Sequence, residues 1–487
     1  MASTELPHIN LCIIQPAGYV HSLGFLDQAR YFSFQFKRLG ATVTISKNRL
    51  NHRGINFVFG AHLGFDSTLR RRFSCIFVNL EQLGANGAVV NNDYINLLET
   101  SPVVDYDRAN AASYTNRPND IPIISFLYAP YLKENEEYKL SERPIDILFI
   151  GSLNERRRDL IKRIEEQGLE VTQFDFPLYG PERDKYIQQA KCVFNAHFYA
   201  SSRLEQARVS HCLSLGTPVV SERTALTSGP SEFNDTVFWT NENELASFFL
   251  GYFKTEDYYA EAEKLIAQFR KTDPIADYNV VLNLAYELSK INDEQHKGDD
   301  WHPTLLNIFA GNDYRPGWLN LSTRVNNLPD MTLDLGKPIS LPLSQTGIYT
   351  GPLEVIANSI ELMYVDDVGL VSESLEHLMR NSMNLLKTGG GLLIKVPYRL
   401  SQAYFEELSC KRTFSESSWT NYTDKYWLIN WFEYAFRLEK IEYMDAQSII
   451  CSATNAMYMN VLLIKIETSN AQKNLARVMR NDFLISD

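Results

Sequence analysis

Between residues 145 and 223 the chain gathers the residue types that handle phosphorylated ligands. Gly151-Ser152 separates the apolar run Ile145–Ile150 from the segment Leu153–Ile164, whose apolar positions 153, 160, 161 and 164 repeat at helical spacing. A strand, a Gly-Ser turn and a helix in that order point backbone N–H groups and a positive helix end at an anion. Three arginines, Arg156, Arg157 and Arg158, occupy the first turns of the helix, where its dipole favours acids. A bound phosphate accounts for them, and so does a solvated face. Arg183 and Lys185 add cations in Gly180-Pro-Glu-Arg-Asp-Lys185. Asn195 and His197 alternate with apolar residues at the end of a buried strand, so they share one face. Glu205 and Arg208 lie three apart on one side of a helix, which also suits a surface ion pair of a few tenths of a kcal/mol. Gly216-Thr-Pro-Val-Val-Ser-Glu222 reads as a tight turn into a strand ending at Ser221 and Glu222, the edge where open parallel sheets meet their ligands.

The first 125 residues carry fewer such groups. Gly18 and His21 stand in the loop after the strand Ile9–Ile14, and Glu81 follows the strand Cys75–Leu80 within Asn79-Leu-Glu-Gln82. Glu81 also suits the start of a helix, where an acid complements the dipole. Asp105-Tyr-Asp107 has the letters of a metal-binding D-x-D but follows an apolar run without further ligands, so no metal is expected there.

The elements that must position these residues alternate. Short apolar runs at Ile9–Ile14, Thr42–Ile45, Asn56–Phe59, Cys75–Leu80 and Val103–Tyr106 are separated by helical stretches such as Phe25–Leu39, which ends at Gly40. That order predicts a parallel α/β sheet. Segment 121–143 crosses to a second sheet with strands at 145–150, 169–174, 192–196 and 217–221. Residues 242–292 read as an amphipathic helix pair packed on the outside. Asn292–Asp300 is polar and reads as a linker, and alternation restarts at Leu305–Phe309. The expected division is 1–125, 126–291, linker 292–301, 302–467 and a tail 468–487.

A chain of 487 residues exceeds one hydrophobic core. Its net charge of −12 argues against general nucleic-acid binding, which needs a basic face. Cysteines 12, 75, 192, 212, 410 and 451 are scattered, with no C-x-x-C pair, and read as reduced thiols. There is no basic-then-apolar leader and no run of ~20 apolar residues, so the expected location is cytoplasmic, including the inner face of a membrane.

Three stretches together resemble the nucleotide-sugar half of GT-B glycosyltransferases, in particular the bacterial group similar to the spore-maturation protein CgeB. They are Phe149-Ile-Gly-Ser-Leu-Asn-Glu-Arg-Arg157, Gly180–His197, and Glu205 with Arg208 followed by Gly216–Glu222. The resemblance spans about residues 9–270 and implies two Rossmann-like domains facing each other. It implies a nucleotide-sugar donor held by Gly151, Ser152, Arg156, Arg157, Arg183, Lys185, Asn195, His197, Glu205, Arg208, Ser221 and Glu222. Glu205 would hold donor hydroxyls, and Glu205→Ala is expected to abolish transfer while leaving the fold intact. The acceptor, a glycan, glycolipid or protein, would lie on the N-terminal side by Gly18, with Glu81 as catalytic base and His21 second to it. Such enzymes relieve the leaving phosphate without metal and need no cofactor. Homo-oligomer formation is left open, as are the donor sugar and inversion or retention.

Residues 302–467 resemble a class I S-adenosylmethionine-dependent methyltransferase. The likeness rests on Leu306–Asn320, Asp334-Leu-Gly-Lys-Pro338, Leu385–Gly390 and Ile394-Lys-Val-Pro-Tyr398. It fails where the cofactor would sit. Phe309 replaces the first glycine of the loop, the second strand ends Asn320-Leu-Ser322 without the ribose-binding acid, and Glu361-Leu-Met363 is out of register. The expectation is a retained sheet and a lost cofactor. The rival readings are a bifunctional enzyme and an inert assembly protein. The aromatic residues Trp419, Tyr422, Tyr426, Trp427, Trp431 and Tyr434 fit core packing better than sugar stacking.

Overall fold

The structure is a computed structural model that describes residues 6–16, 19–132, 138–174, 176–295, 301–309, 313–347, 349–366, 374–399, 401 and 414–480. Gly18, Gly311 and Cys410 lie outside the described residues, as do 296–300 of the linker and 481–487 of the tail. The chain forms two compact units, one of residues 1–48 and 54–295, the other of 49–53 and 296–487. Both are mixed α/β with parallel, Rossmann-like sheets, the class expected.

The first unit holds two five-stranded sheets. In the first, β1 (Ile9–Ile13), β2 (Val43–Lys47), β3 (Ile55–Phe59), β4 (Cys75–Asn79) and β5 (Val103–Asp105) run parallel in the order β2-β1-β3-β4-β5. β1, β3 and β4 are buried along their whole length, which is why they read as unbroken apolar runs. α1 (Gly24–Arg38) lays Phe32 and Phe36 against Phe57 and Phe59. α2 (Asn92–Glu99) and α3 (Arg108–Ala111) flank β5 in sequence.

The second sheet has the order β10-β9-β8-β6-β7, again parallel, from β6 (Ile145–Phe149), β7 (Val171–Thr172), β8 (Ala190–Asn195), β9 (Val219–Glu222) and β10 (Phe238–Thr240). Its helices are α4 (Glu155–Glu165), α5 (Gly180–Gln189), α6 (Gln206–Ser214), α7 (Leu245–Ser247) and α8 (Glu256–Phe269). The strand expected over 169–174 shrinks to two residues, because Phe174 turns out of the sheet to pack on Tyr186 and Phe176, at 4.6 and 5.7 Å between ring centres.

α9 (Ile275–Gln295) corrects two expectations. Its inner face, Tyr278, Val281, Leu282 and Ala285, joins the core of the first sheet with Phe32 and Phe57, whereas α8 packs on the second. The apolar stripe reads in the sequence as half of an outer helix pair; its spacing shows a buried face but not which sheet that face seeks. The helix also runs through Gln295, four residues into the expected linker.

The second unit is built on a seven-stranded sheet of order β13-β12-β11-β16-β17-β19-β18. Its strands are β11 (Leu305–Ile308), β12 (Leu319–Ser322), β13 (Met331–Thr332), β16 (Ile360–Asp366), β17 (Leu386–Pro397), β18 (Tyr434–Met444) and β19 (Tyr458–Glu467), with β14 (Leu343–Gly347) and β15 (Gly351–Val355) as a separate hairpin. β19 alone runs antiparallel to its neighbours. Trp419, Tyr422 and Tyr426 are buried, as packing predicted, while Tyr434 is exposed. Residues 49–53, from the β2–β3 connection, belong to this unit. Arg49 lies over Tyr349 at 4.0 Å and pairs with Asp330 at 2.9 Å, and the His52 ring stacks on Trp301 at 3.8 Å.

Cys12, Cys75, Cys192 and Cys212 are buried and Cys451 is half-buried, and none of these five is joined in a disulfide. No helix among the described residues is long and apolar enough to cross a membrane.

Candidate functional site

Three neighbouring strands of the second sheet release their chains on one edge: β6 into Ile150-Gly151-Ser152, β8 into Asn195–His197, and β9 at Ser221-Glu222. Asn154 caps α4, accepting from Arg157 N at 2.9 Å while donating to the Phe198 carbonyl at 2.8 Å, and this sets the phase of the arginines that follow. Arg157 turns inward, donating to the carbonyls of Ala196 and Ser152. Arg156 forms a two-pronged pair with Glu222, whose carboxylate also accepts from His197 N at 3.1 Å.

Glu205 is the centre of the arrangement. Its carboxylate accepts from Asn195 Nδ2 at 3.1 Å and Phe198 N at 3.3 Å, meets His197 Nδ1 at 3.2 Å and Arg157 at 3.4 Å, and lies 3.6 Å from Arg208. Burial works against its charge, but the His197 hydrogen bond and the charges of Arg208, His197 and Arg157 outweigh it and hold the carboxyl at about 2. Burial, followed by the neighbouring Arg208, lowers the Arg157 guanidinium to about 9. Arg208 donates twice to Asn195 Oδ1 and once to the Ile150 carbonyl, and Asn195 reaches Ser221 Oγ at 2.9 Å. The Gly151 turn therefore has guanidinium on it: a Cβ there would lie 2.6 Å from Arg208 Nη1 and 3.1 Å from Arg157 Nη1, at a φ of +141°. Gly151, Ser152, Arg156, Arg157, Asn195, His197, Glu205, Arg208, Ser221 and Glu222 thus converge.

Beside this knot opens a cavity of about 420 Å³. The Phe149–Leu153 turn, Arg158, Phe174, the stretch Phe176–Tyr179 and His21 line it, and among the described residues none of its lining is acidic. His21 Nδ1 lies 3.1 Å from Tyr179 Oη. A smaller cavity of about 180 Å³ adjoins it through Ile150, Gly151, Leu178 and Tyr179 and is lined also by Arg183, Arg208 and His211. Arg183 is tied to Asp27 of α1 at 2.6 Å and to Asp184 at 2.7 Å, with His211 Nε2 on Asp184 at 2.7 Å, so it joins the two sheets' helices. Lys185 is exposed on α5 and lines neither cavity.

Arg158 and the aromatic loop were missed in the sequence. Three consecutive arginines each turn by about 100° on a helix, so only one can face a given cavity. The Asn154 cap fixes which, and N-x-x-R was the available signal. Phe174 was hidden at the end of a segment read as strand, and Phe176 and Tyr179 follow it without a pattern of their own.

At the carboxyl edge of the first sheet, Glu81 Oε1 stands 3.5 Å from His62 Nε2. Asp105 is fully buried and accepts from Asn79, Asn110, Tyr114 and the N–H groups of Tyr106 and Asp107. Asp107 caps α3 and pairs with Arg203 and Ser228. Both acids of the D-x-D are thus used inside the protein.

No family model matches the chain. Three uncharacterized proteins of Acanthamoeba polyphaga mimivirus are similar to parts of it. One is 25% identical over 181 residues, covering 36% of this chain and 18% of the relative. The others are 26% identical over 166 residues (32% and 21%) and 27% identical over 163 residues (32% and 50%). The chain spans between about a fifth and half of the length of these relatives. Among solved structures, Anabaena HepE in complex with UDP and glucose is 12% identical at a TM-score of 0.38, covering 57% of this chain and 99% of that one. A Rickettsia africae glycosyltransferase is 10% identical at 0.38 (58% and 99%), and WaaG, a glycosyltransferase involved in lipopolysaccharide biosynthesis, is 11% identical at 0.36 (57% and 99%).

Proposed function

We infer that the first unit transfers a glycosyl group from a nucleotide sugar to a glycan, glycolipid or protein acceptor. The observation that carries this reading is the 420 Å³ cavity. It is large enough for a nucleotide, and its walls combine Phe174, Phe176 and Tyr179 for stacking a base, the Gly151-Ser152 turn at a helix start for a diphosphate, and Arg158 for its charge. No other hydrogen bond or ion pair engages the Arg158 guanidinium among the described residues, whereas Arg156, Arg157 and Arg208 are already held. The knot around Glu205 adjoins the same turn, so sugar hydroxyls beyond the diphosphate would meet Glu205 and its donors. Charge relief for the leaving diphosphate falls to the turn, the helix end and Arg158, the metal-independent mode that the sequence resemblance implies.

The test is a thermal-shift panel of UDP, GDP, dTDP and CMP, their common sugars, and S-adenosylmethionine. A ligand at a hundred times its dissociation constant adds about 2.7 kcal/mol to the stability of the part that binds it. One nucleotide family is expected to shift the melting curve. Arg158→Ala is expected to weaken that nucleotide about tenfold while leaving the unliganded melting temperature unchanged, since one exposed charge-assisted contact is at stake. Absence of any nucleotide shift in the wild type would overturn the reading.

For the second unit we propose a methyltransferase-like domain that has lost its cofactor. The strand order, with β19 alone reversed, supports the relationship. The residues present do not fit the cofactor. Phe309 is buried at the end of β11 where a glycine would let the ligand approach, and Ser322 closes β12 with a hydroxyl that caps Arg324 N, not a carboxylate. S-adenosylmethionine is expected to give no shift in the same panel. A shift with it alone would make this unit the working one.

A further inference from the structure

The first sheet places two titratable side chains together at its carboxyl edge, where β3 and β4 lie side by side in parallel register. β3 ends at Phe59, and Gly60, in the left-handed region at φ +70°, turns the chain into the short helix Ala61–Leu63 that carries His62. A Cβ on Gly60 would meet the Phe25 ring at 2.9 Å, so the tight turn needs the glycine. β4 ends at Asn79, and Glu81 follows.

The backbone of Glu81 is held on both sides. Its N–H donates to Asn79 Oδ1 at 3.2 Å, and its carbonyl accepts from Asn110 Nδ2 at 2.8 Å and Asn79 Nδ2 at 3.3 Å. Tyr94 Oη donates to the same Asn79 Oδ1 at 2.8 Å, and the Tyr94 ring stands edge-on to His62, 5.5 Å between centres. Phe25 packs on the other side of the imidazole at 6.1 Å. What these contacts leave open is one polar pair: His62 Nε2 to Glu81 Oε1 at 3.5 Å, with 18 and 25% of the side chains exposed. No further hydrogen bond or ion pair engages either side chain among the described residues.

The strand end that carries the pair is tied to the loop that follows His197. The chain leaving His197 passes Tyr199, within reach of the Glu81 charge, and is then fastened to the residue after Glu81: Ser201 Oγ donates to Gln82 Oε1 at 3.2 Å, and Gln82 Nε2 donates to the Arg203 carbonyl at 3.1 Å. A surface ion pair worth a few tenths of a kcal/mol would not call for so much fixed backbone around it.

We propose that His62, oriented by Glu81, is the general base that takes the proton from the acceptor hydroxyl. The proposal rests on the glycosyl-transfer reading above. With Glu81 holding Nε2–H, Nδ1 presents its lone pair. The hydroxyl proton passes to Nδ1 as the acceptor oxygen bonds to the anomeric carbon. The bond from that carbon to the donor's phosphate oxygen breaks, and its electron pair leaves with the nucleoside diphosphate. Glu81 balances the imidazolium that results, so it is a positioning residue and His62 the catalytic one.

The experiment uses the full chain, UDP-glucose with GDP-, dTDP- and CMP-sugars in parallel, and water as acceptor, reading nucleotide release alongside the nucleotide-induced melting shift. His62→Ala is expected to lower turnover about a hundredfold with the melting shift retained, and added imidazole is expected to restore part of it. Glu81→Gln is expected to lower kcat about tenfold at unchanged KM for the donor, with Glu81→Asp recovering most of the loss. His62→Ala turnover within threefold of wild type, nucleotide shift intact, would overturn the base assignment alone. Nucleotide binding without any release by the wild type would overturn it too, since a placed base activates water. No nucleotide shift in the wild type would instead bring down the donor reading on which the proposal stands.

Discussion

Glu205→Ala is expected to stop donor turnover and to cost the fold roughly 3–5 kcal/mol, the usual penalty for removing one partner of a buried charge cluster. The sequence alone suggested that this variant would fold normally. The structure gives a different account. Glu205 faces His197, Asn195, Phe198 N, Arg157 and Arg208, so its loss leaves two guanidiniums crowded together without a carboxylate. Urea denaturation would measure the cost, and Glu205→Gln, which keeps the shape and removes the charge, separates packing from electrostatics. An unchanged midpoint in both variants would contradict this account. The wild type should show the same contribution in its pH dependence. The folded carboxyl sits at about 2, below its ordinary value of 4.5. Its stabilisation is therefore complete above about pH 4.5, falls as pH drops toward 2, and amounts to roughly 3 kcal/mol. In Glu205→Gln that acid-side loss should be correspondingly smaller.

Gly151→Ala is the second large effect expected. The backbone there has φ +141°, a conformation costing an L side chain roughly 1–3 kcal/mol. The added methyl would also fall 2.6 Å from Arg208 Nη1, a guanidinium already fastened to Asn195 and the Ile150 carbonyl. Arg208 must move, and with it the hydrogen bonds that aim Asn195 at Glu205. The expected result is a lower melting temperature together with loss of the nucleotide-induced shift. The control is Gly168→Ala, at φ +78° but with open space around it, which should cost stability without touching the ligand response. A Gly151→Ala protein that still binds nucleotide like the wild type would show that the turn does not seat the diphosphate.

Much of this was legible in the chain. Apolar runs at Ile9–Ile14, Asn56–Phe59, Cys75–Leu80 and Ile145–Ile150 announced buried parallel strands, since strands covered on both faces leave no polar alternation to blur them. The meeting of Asn195 and Glu222 was legible because the ends of adjacent parallel strands share one edge, whereas Glu205 and Arg208, at the start of α6, were placed by the resemblance. What stayed hidden depends on phase and on distant contacts. Whether Arg156, Arg157 or Arg158 faces the cavity turns on the position of one capping side chain. The partner of Glu81 could not be named, because His62 comes from a different strand end. Arg183 read as a phosphate ligand, yet it serves Asp27 of a helix 156 residues away in sequence. The inner face of α9 was visible as a stripe, but no local pattern tells which of two sheets will cover it.

The assignment of Arg49–Arg53 to the second unit bears on how the two halves can be handled experimentally. Cleavage or gene splitting near residues 296–300 separates the polypeptide into pieces, but not into the two compact bodies. The N-terminal piece would keep Arg49 without Asp330 and Tyr349, and His52 without Trp301, while the C-terminal piece would lack the five residues that pack there. Neither fragment is then a fair stand-in for its half, and inactivity of either one says little about which half works. Point substitutions in the intact chain are the sounder way to divide the labour.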